Sequence, residues 1–229
     1  MKTNHKTSHK TIVACAYADV IDQLSPTYYG MLDDLVRNVR EVLPGIEFVQ
    51  ISNDKARKVK GINGILRIDV NEPLMVWRLK AHQYAHSLAD QVIFVEPDVR
   101  FKENVLDVFD DPDFDVAITK REIEVNWAGE KLSLRAPYTL GCTFSRSDEF
   151  WRQAKLECQK LEEADQNWVG DMIAMAITAN SGAFKVKLME GPVYNHVPNE
   201  RDEVFTPAKV LHFKGKRKQW LFPKAVEAA

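Results

Sequence analysis

The residues best suited to chemistry lie in two short segments, and the first is Glu96-Pro97-Asp98. Both carboxylates directly follow the continuous apolar run at 92–95, so they are expected to emerge together at the end of a buried strand. Two close carboxylates repel each other unless a cation joins them, and Mg²⁺ or Mn²⁺ with oxygen ligands keeps positions open for water and substrate phosphates. These three residues taken alone are also compatible with an acidic surface turn.

The second segment is the sequence HFKGKRKQW at 212–220. His212 closes an apolar strand, and a neutral imidazole is a good ligand for Mn²⁺ beside carboxylates. Gly215 allows the backbone to approach a ligand closely, and Lys218 offers a point charge for phosphate. This spacing favours a metal and phosphate site over the alternative of a basic surface loop.

These segments must be positioned by a scaffold in which strands and helices alternate. Apolar, β-rich runs predict strands, whereas apolar residues every three or four positions predict helices. The predicted strands are 11–19, 46–52, 92–95, 114–121, 138–145, 185–190 and 208–213. The predicted helices are 25–42, 74–90, 148–161 and 168–179, with a short one ending at Phe109. Residues 53–65 are expected to form a polar loop, and 122–136 are too polar to assign.

This alternation predicts a three-layer α/β/α domain with a mostly parallel central sheet, whose ligands bind outside the carboxyl ends of the strands. One domain is expected at 11–229, preceded by a flexible basic tail at 1–10. Neither a GxGxxG nor a GxxxxGK[ST] motif is present, which argues against dinucleotide-binding and P-loop proteins.

The composition is that of an ordinary globular protein, with 45% hydrophobic and 28% charged residues and a net charge of -2. No apolar run approaches the ~18 residues that a membrane span needs, and no signal peptide is visible, so a cytoplasmic protein without membrane contacts is expected. Cys15, Cys142 and Cys158 show no CxxC spacing and are expected to be buried thiols.

The carboxyl-terminal segment resembles a motif of a known family. HFKGKRKQW is similar to the HxxGxxKPW motif of glycogenin-like, family 8 glycosyltransferases of the GT-A fold, with Gln219 in place of the proline. VIFVEPDVRF is similar to the strand and DxD motif of the same enzymes, with Glu96 in place of the first aspartate.

Three further stretches follow in the order of that family. YTLGCTFSRSDEFW is similar to its FNxG strand, with Thr139 in place of asparagine. WVGDMIAM resembles its glycine-aspartate-glutamine helix start, where Asp171 matches and Met172 departs. VYNHVP resembles its asparagine-bearing segment, with Asn195 matching. The resemblance spans roughly residues 11–222 through five short motifs.

The resemblance implies a metal-dependent hexosyl- or pentosyltransferase that moves a sugar, with retention, from a nucleotide-diphosphate sugar such as a UDP-sugar to a hydroxyl acceptor. The metal would be Mn²⁺ or Mg²⁺. Its implied ligands are Glu96, Asp98 and His212. The implied catalytic residues are Asp98 and Asp171, the latter preferred by its spacing over Asp165, which is expected to cap a helix beginning near Asn167.

Donor-binding residues are implied at several positions. The first strand ends where GT-A enzymes hold the nucleoside, and a basic residue on the helix before the metal motif reaches the sugar and phosphate. The implied donor-binding residues are Ala16, Tyr17, Asp19, Arg78, Lys80, Glu96, Gly215 and Lys218. Four tryptophans are candidates for a sugar-binding wall or for core packing: Trp127, Trp151, Trp168 and Trp220.

Other functions stay open at this point. A nucleotidyltransferase shares part of the architecture, but its usual glycine-rich loop is missing between Asp19 and Tyr28. The departures from the family motifs also fit a non-catalytic nucleotide-sugar-binding module. The acceptor is unassigned among glycans, small molecules, proteins and the hydroxymethylated bases of phage-type DNA, because the basic residues at 214–218 also suit a phosphate backbone. The oligomeric state is open as well.

Overall fold

The computed structural model describes residues 9–19, 26–201, 203 and 207–221. The expected basic tail at 1–10 therefore lies almost entirely outside the described residues, as do Ser25, expected at the start of a helix, and the end of the expected domain at 222–229. No helix of the described residues is long and apolar enough to cross a membrane.

Strands and helices alternate through most of the described chain. The strands are β1 (Thr11–Ala16), β2 (Glu47–Ser52), β3 (Gly64–Arg67), β4 (Gln91–Val95), β5 (Val99–Phe101), β6 (Val116–Lys120), β7 (Asn126–Trp127), β8 (Glu130–Lys131), β9 (Tyr138–Ser145), β10 (Val186–Met189) and β11 (Val210–His212). The α-helices are α1 (Pro26–Val42), α2 (Leu74–Ala85), α3 (Leu132–Arg135), α4 (Asp148–Cys158), α5 (Glu163–Trp168), α6 (Gly170–Ala179) and α7 (Gly191–Tyr194), and 3₁₀ helices span Leu106–Asp110 and Gly215–Leu221.

Seven of the described strands form one central sheet in the order β10-β6-β9-β4-β1-β2-β3. Neighbouring strands are parallel except at β9, which runs antiparallel to both β4 and β6. The carboxyl ends of β1 and β4 consequently lie side by side at one edge of the sheet, and the predicted mixed α/β fold with a mostly parallel sheet is confirmed.

Helices cover both faces of this sheet. Leu32, Leu35 and Val39 of α1 pack on one face, in a cluster that also contains the 3₁₀ helix at Leu106–Asp110. The other face is covered by α2, α4 and α6, where Trp77 and Trp151 are fully buried. Burying one large apolar side chain contributes about 1.5–3 kcal/mol, so these two layers hold the strand ends in fixed positions. The three cysteines are buried and form no disulfide, as expected.

Several elements differ from the sequence-based expectation. The predicted last strand is reduced to β11, which pairs antiparallel with β5 in a separate small sheet rather than joining the central one. The unassigned region 122–136 contains the β7–β8 hairpin and α3, and β3 begins within the last two residues of the predicted polar loop. Asp165 does not cap a helix: it lies inside α5 and its carboxylate is buried between Trp127 and Arg135.

Candidate active site at the carboxyl ends of β1 and β4

A cavity of about 570 Å³ opens where β1 and β4 end. It brings together every sequence-predicted site residue except Lys80, although these residues come from distant parts of the chain. Those lining it are Ala16, Tyr17, Asp19, Arg78, Glu96, Asp98, Asp171, His212, Gly215 and Lys218. Lys80, two positions after Arg78 on α2, instead forms an ion pair with Glu72 at 2.9 Å.

Glu96, Asp98 and His212 form a cluster in which one ligand atom of each residue lies within 4.8 Å of the others. His212 Nε2 lies 3.0 Å from Glu96 Oε2 and 3.3 Å from Asp98 Oδ1. The turn after β4 is tied to the segment that follows β11, because the Phe213 amide donates to the Asp98 carbonyl at 2.9 Å. The pairing of β5 with β11 therefore places His212 beside the two carboxylates.

A chain of polar side chains fixes the orientation of His212. Asn195 Nδ2 donates to Thr139 Oγ1 at 2.7 Å, and the Thr139 hydroxyl lies 3.0 Å from that of Thr119. The Asn195 amide oxygen is then left facing His212 Nδ1 at 2.9 Å, so it accepts the Nδ1 proton. Nε2 is consequently the ring nitrogen that faces Glu96 and Asp98. Such second partners of a ligating histidine set its tautomer and ring orientation.

Gly141 on β9 is the residue that makes room for this arrangement. A Cβ atom built at this position would lie 2.1 Å from His212 Nδ1 and 2.3 Å from Asn195 Oδ1. No side chain fits there without moving the histidine. The FNxG-like motif contained this glycine, but its role depends on contacts across the fold that the sequence does not display.

The charges of the cluster are mutually stabilised. Burial alone would raise the pKa of Glu96, but Arg78 and His212 hold that pKa well below its usual range. Burial would likewise raise the pKa of Asp98, and His212 lowers it. Burial disfavours protonation of His212, yet Asp98 and then Glu96 raise its pKa above the ordinary value. Two carboxylates are thus kept ionised in a largely buried place.

Arg78 bridges the cluster and the predicted catalytic aspartate. Its guanidinium donates to Glu96 Oε1 at 2.7 Å and to Asp171 Oδ2 at 3.0 Å, while its buried Nε has no hydrogen-bond partner among the described residues. Asp171 is only 1% exposed, and burial raises its pKa although Arg78 opposes this. The cavity therefore contains Arg78 rather than Lys80 as the long basic residue of α2.

Basic residues from the end of the chain line the cavity near the carboxylates. Lys218 Nζ lies 3.1 Å from Asp98 Oδ2. Gly215 has a φ of +59°, a left-handed conformation that favours glycine, and it begins the 3₁₀ helix that carries Lys218. Lys214 also lines the cavity, and burial lowers its pKa despite the attraction of Glu96. Lys214 and Arg121 were not predicted as site residues.

The end of β1 forms a buried polar corner of the same cavity. Asn53 fixes the backbone of Asp19 from both sides, with bonds of 3.0 Å to its amide and 2.8 Å to its carbonyl. The Asp19 carboxylate accepts from Tyr29 at one oxygen, whereas Oδ1 is buried without a hydrogen-bond partner among the described residues. Tyr17 is 5% exposed and packs edge-on against Tyr28, so only a small part of its ring is open.

The described residues fit a divalent cation. Two carboxylate oxygens and the imidazole Nε2 that faces them form a donor set suited to Mn²⁺ or Mg²⁺. Among the described residues His212 and Lys218 form ion pairs with Asp98, and the carboxylate of Glu96 lies on the same imidazole nitrogen. The donor set therefore supports the predicted metal site, although the identity of the metal is set by more than these three ligands.

No protein-family model matches the chain, and no curated protein matches it by sequence. Solved structures do share its fold. A glycosyltransferase involved in glycosylation of the major capsid of PBCV-1 has a TM-score of 0.61 at 11% identity, over 93% of this chain and 98% of that one. The galactosyltransferase LgtC, solved with donor and acceptor sugar analogs, has a TM-score of 0.55 at 15% identity, over 89% and 87%.

A third structure with this fold is larger. The bifunctional glycosyltransferase WbbM has a TM-score of 0.58 at 11% identity, and the match covers 93% of this chain but only 47% of that one. At these identities the likeness concerns the fold, and it confirms the predicted GT-A-like architecture.

Proposed function

We propose that this protein is a metal-dependent glycosyltransferase that moves a sugar from a nucleotide-diphosphate sugar, a UDP-sugar, to a hydroxyl acceptor with retention of configuration. The observation that carries the proposal is the convergence of Glu96, Asp98 and His212 with Lys218 in one cavity at the carboxyl ends of β1 and β4. Solved structures of three glycosyltransferases share the fold, which supports the same reaction class.

The donor would lie across the strand ends. Asp19 Oδ1, buried and unpartnered among the described residues, is suited to accept a hydrogen bond from the base or ribose. The neighbouring Ala16 and Tyr17 would pack against the nucleoside. Lys218, which lies beside Asp98, and the backbone at Gly215 would hold the diphosphate. The cavity thus has partners for each part of the donor.

Glu96, Asp98 and His212 would hold the Mn²⁺ or Mg²⁺ ion. When bound there, such an ion supplies positive charge that stabilises the departing diphosphate. Lys218 adds a second positive charge in the same place, in the manner of electrostatic stabilisation of a transition state. Arg78, held between Glu96 and Asp171, would bind the sugar or its phosphate, and Asp171 would keep that guanidinium in place.

The transfer itself needs no further reactant. The acceptor hydroxyl oxygen bonds to the anomeric carbon while the bond from that carbon to the diphosphate oxygen breaks. The electron pair of the broken bond stays on the diphosphate, and the hydroxyl proton passes to it. The products are a glycoside and a nucleoside diphosphate. Asp98 would position Lys218, and Asp171 would position Arg78. These two cations would stabilise the leaving group.

The test combines binding and turnover. Purified protein is expected to bind Mn²⁺ in calorimetry, to gain thermal stability with a UDP-sugar only when Mn²⁺ is present, and to hydrolyse that donor slowly. Asp98→Asn should abolish all three effects. Asp107→Asn is the matched control, because Asp107 pairs with Lys209 outside the cavity. Full Mn²⁺ binding and hydrolysis by Asp98→Asn would refute the metal assignment.

A further inference from the structure

The cavity has a second end whose chemistry differs from that of the carboxylate cluster. It is apolar and is built from the start of α2, the region of the β7–β8 hairpin and the junction of α5 with α6. Its residues are Leu74, Val125, Trp127, Leu132, Trp168, Val169 and Met172. This end is here called the tryptophan wall.

The tryptophan wall is held in a fixed shape. The rings of Trp127 and Trp168 stack with their centroids 6.4 Å apart and their planes 25° apart. Trp127 Nε1 donates to Asp165 Oδ1 at 2.9 Å, and Arg135 pairs with the same carboxylate. Asp165 is only 4% exposed, so its two partners fasten the hairpin region to α5. The indole of Trp127 is consequently fixed as a support for that of Trp168.

Trp168 remains 66% exposed although it lines the cavity, and Val125, which lines the same cavity, is 44% exposed. Large apolar side chains that stay exposed next to one another mark binding surfaces more often than isolated ones do. A rigid indole binds a ring with little loss of side-chain entropy. A sugar ring suits it, because one face of a pyranose consists of C–H groups that pack on the electron-rich face of an aromatic ring.

The charge around the tryptophan wall disfavours a nucleic-acid acceptor. Apart from the buried Asp165 and Asp171 and the arginine that pairs with Asp165, residues 121–135 and 160–171 carry five carboxylates and three cationic side chains. A phosphate backbone is bound by a surplus of lysine and arginine, and its affinity falls as that surplus is lost. Lys214 and Lys218, the basic residues that first suggested DNA, line the cavity beside the metal cluster. A neutral ring meets no such electrostatic penalty.

From these observations we infer that the tryptophan wall is the acceptor subsite and that it binds a sugar ring, stacked on Trp168, whose free hydroxyl faces the donor. The inference rests on the proposed function, since an acceptor requires a donor in the same cavity. It adds the chemical class of the acceptor and names the residue that recognises it.

The test measures transfer and donor hydrolysis separately. A panel of methyl glycosides and disaccharides is offered with a UDP-sugar and Mn²⁺, alongside a duplex DNA that contains 5-hydroxymethylcytosine. Transfer to at least one glycoside is expected. Trp168→Ala should raise the KM for that glycoside roughly tenfold, the size of one lost aromatic contact of about 1.4 kcal/mol, and leave donor hydrolysis unchanged. Trp168→Phe should restore most of the affinity.

Leu134→Ala is the matched control, because Leu134 is 76% exposed on α3 of the same region but does not line the cavity. It should transfer like the unaltered protein. Donor hydrolysis without transfer to any glycoside, preferential transfer to the DNA, or an unchanged KM in Trp168→Ala would each overturn the inference while leaving the proposed function intact. Absence of donor binding and hydrolysis would instead overturn the proposed function.

Discussion

Gly141→Ala tests whether the orientation of His212 creates the metal site. The new methyl group would lie 2.1 Å from His212 Nδ1, about 1.3 Å short of the 3.4 Å at which ordinary contact begins. It would also lie 2.3 Å from Asn195 Oδ1, so both partners of the 2.9 Å hydrogen bond must move apart. The substitution is therefore expected to turn the imidazole away from Glu96 and Asp98.

Two effects contribute to the expected loss of folding stability in Gly141→Ala. Overpacking a tightly packed site costs about 1–3 kcal/mol, and a buried hydrogen bond left without its partner costs about 1–3 kcal/mol more. In a chain of this length each kcal/mol lowers Tm by about 2–4 °C, so the combined cost of about 2–6 kcal/mol should lower Tm by roughly 4–24 °C in thermal unfolding. Loss of a second partner of a ligating histidine typically lowers metal affinity about 10–100-fold.

The assay is calorimetric titration of the folded variant with Mn²⁺, performed well below its Tm and compared with Gly64→Ala. A Cβ at Gly64 would lie 3.7 Å from Val49 Cγ2, an ordinary contact, so this control should keep both Tm and affinity. Unchanged Mn²⁺ affinity in a folded Gly141→Ala protein would refute the reasoning that the Asn195–His212 bond orients a ligand.

Two further predictions concern α2 and the residue that follows it. Arg78→Met should lower donor affinity at least tenfold, because it leaves Glu96 and Asp171 without the cation between them. Lys80→Met should have little effect on donor affinity. Calorimetric titration with a UDP-sugar measures the affinity of both variants. Burial lowers the pKa of His86 to about 4, against about 6.5 in an unfolded chain, so the unfolded state binds more protons between these pH values. Stability from this residue is therefore present above pH 6.5 and is lost as the pH falls to 4, by up to about 3 kcal/mol, and denaturant titrations should show this fall reduced in His86→Gln.

Each of these two predictions has an outcome that would contradict it. A larger loss of donor affinity in Lys80→Met than in Arg78→Met would mean that the cavity residue had been identified wrongly. A constant difference in unfolding free energy between the unaltered protein and His86→Gln from pH 7 to pH 4 would mean that His86 does not titrate differently on folding. His82, whose pKa burial also lowers, stays present in both proteins.

The sequence predicted the cluster of Glu96, Asp98 and His212, the proposed metal site, because the evidence for each residue lies in its neighbours along the chain. Glu96 and Asp98 follow a buried strand, and His212 closes another apolar run, so each residue could be placed at a strand end from its neighbours alone. The choice between Arg78 and Lys80 could not be made in this way. Side chains two positions apart on a helix point to nearly opposite sides. Only the packing of α2 against the sheet decides which side faces the cavity.

Other parts of the site depend on pairings between distant segments. β11 is three residues long, and its partner β5 lies more than a hundred residues earlier, so no periodicity reveals that they form a separate sheet. The β7–β8 hairpin is polar and its strands have two residues each, so it lacks the alternation by which strands are recognised. The sequence therefore offered Trp127 and Trp168 only as candidates for a sugar-binding wall or for core packing, because the hydrogen bond from Trp127 to Asp165 joins distant segments.

Three departures from the family motifs first suggested a binding module that had lost its chemistry, and their surroundings argue against this interpretation. Glu96, one methylene longer than aspartate, reaches both Arg78 and His212. Thr139 accepts the hydrogen bond that orients Asn195, and Met172 Sδ lies 3.2 Å from an Arg121 guanidinium nitrogen at the cavity wall. Each departing residue thus has partners within the site, so the departures alone do not indicate a lost activity. We therefore expect a working enzyme, and Glu96→Asp, which shortens the side chain and loosens the contact with Arg78, should weaken donor binding rather than improve it.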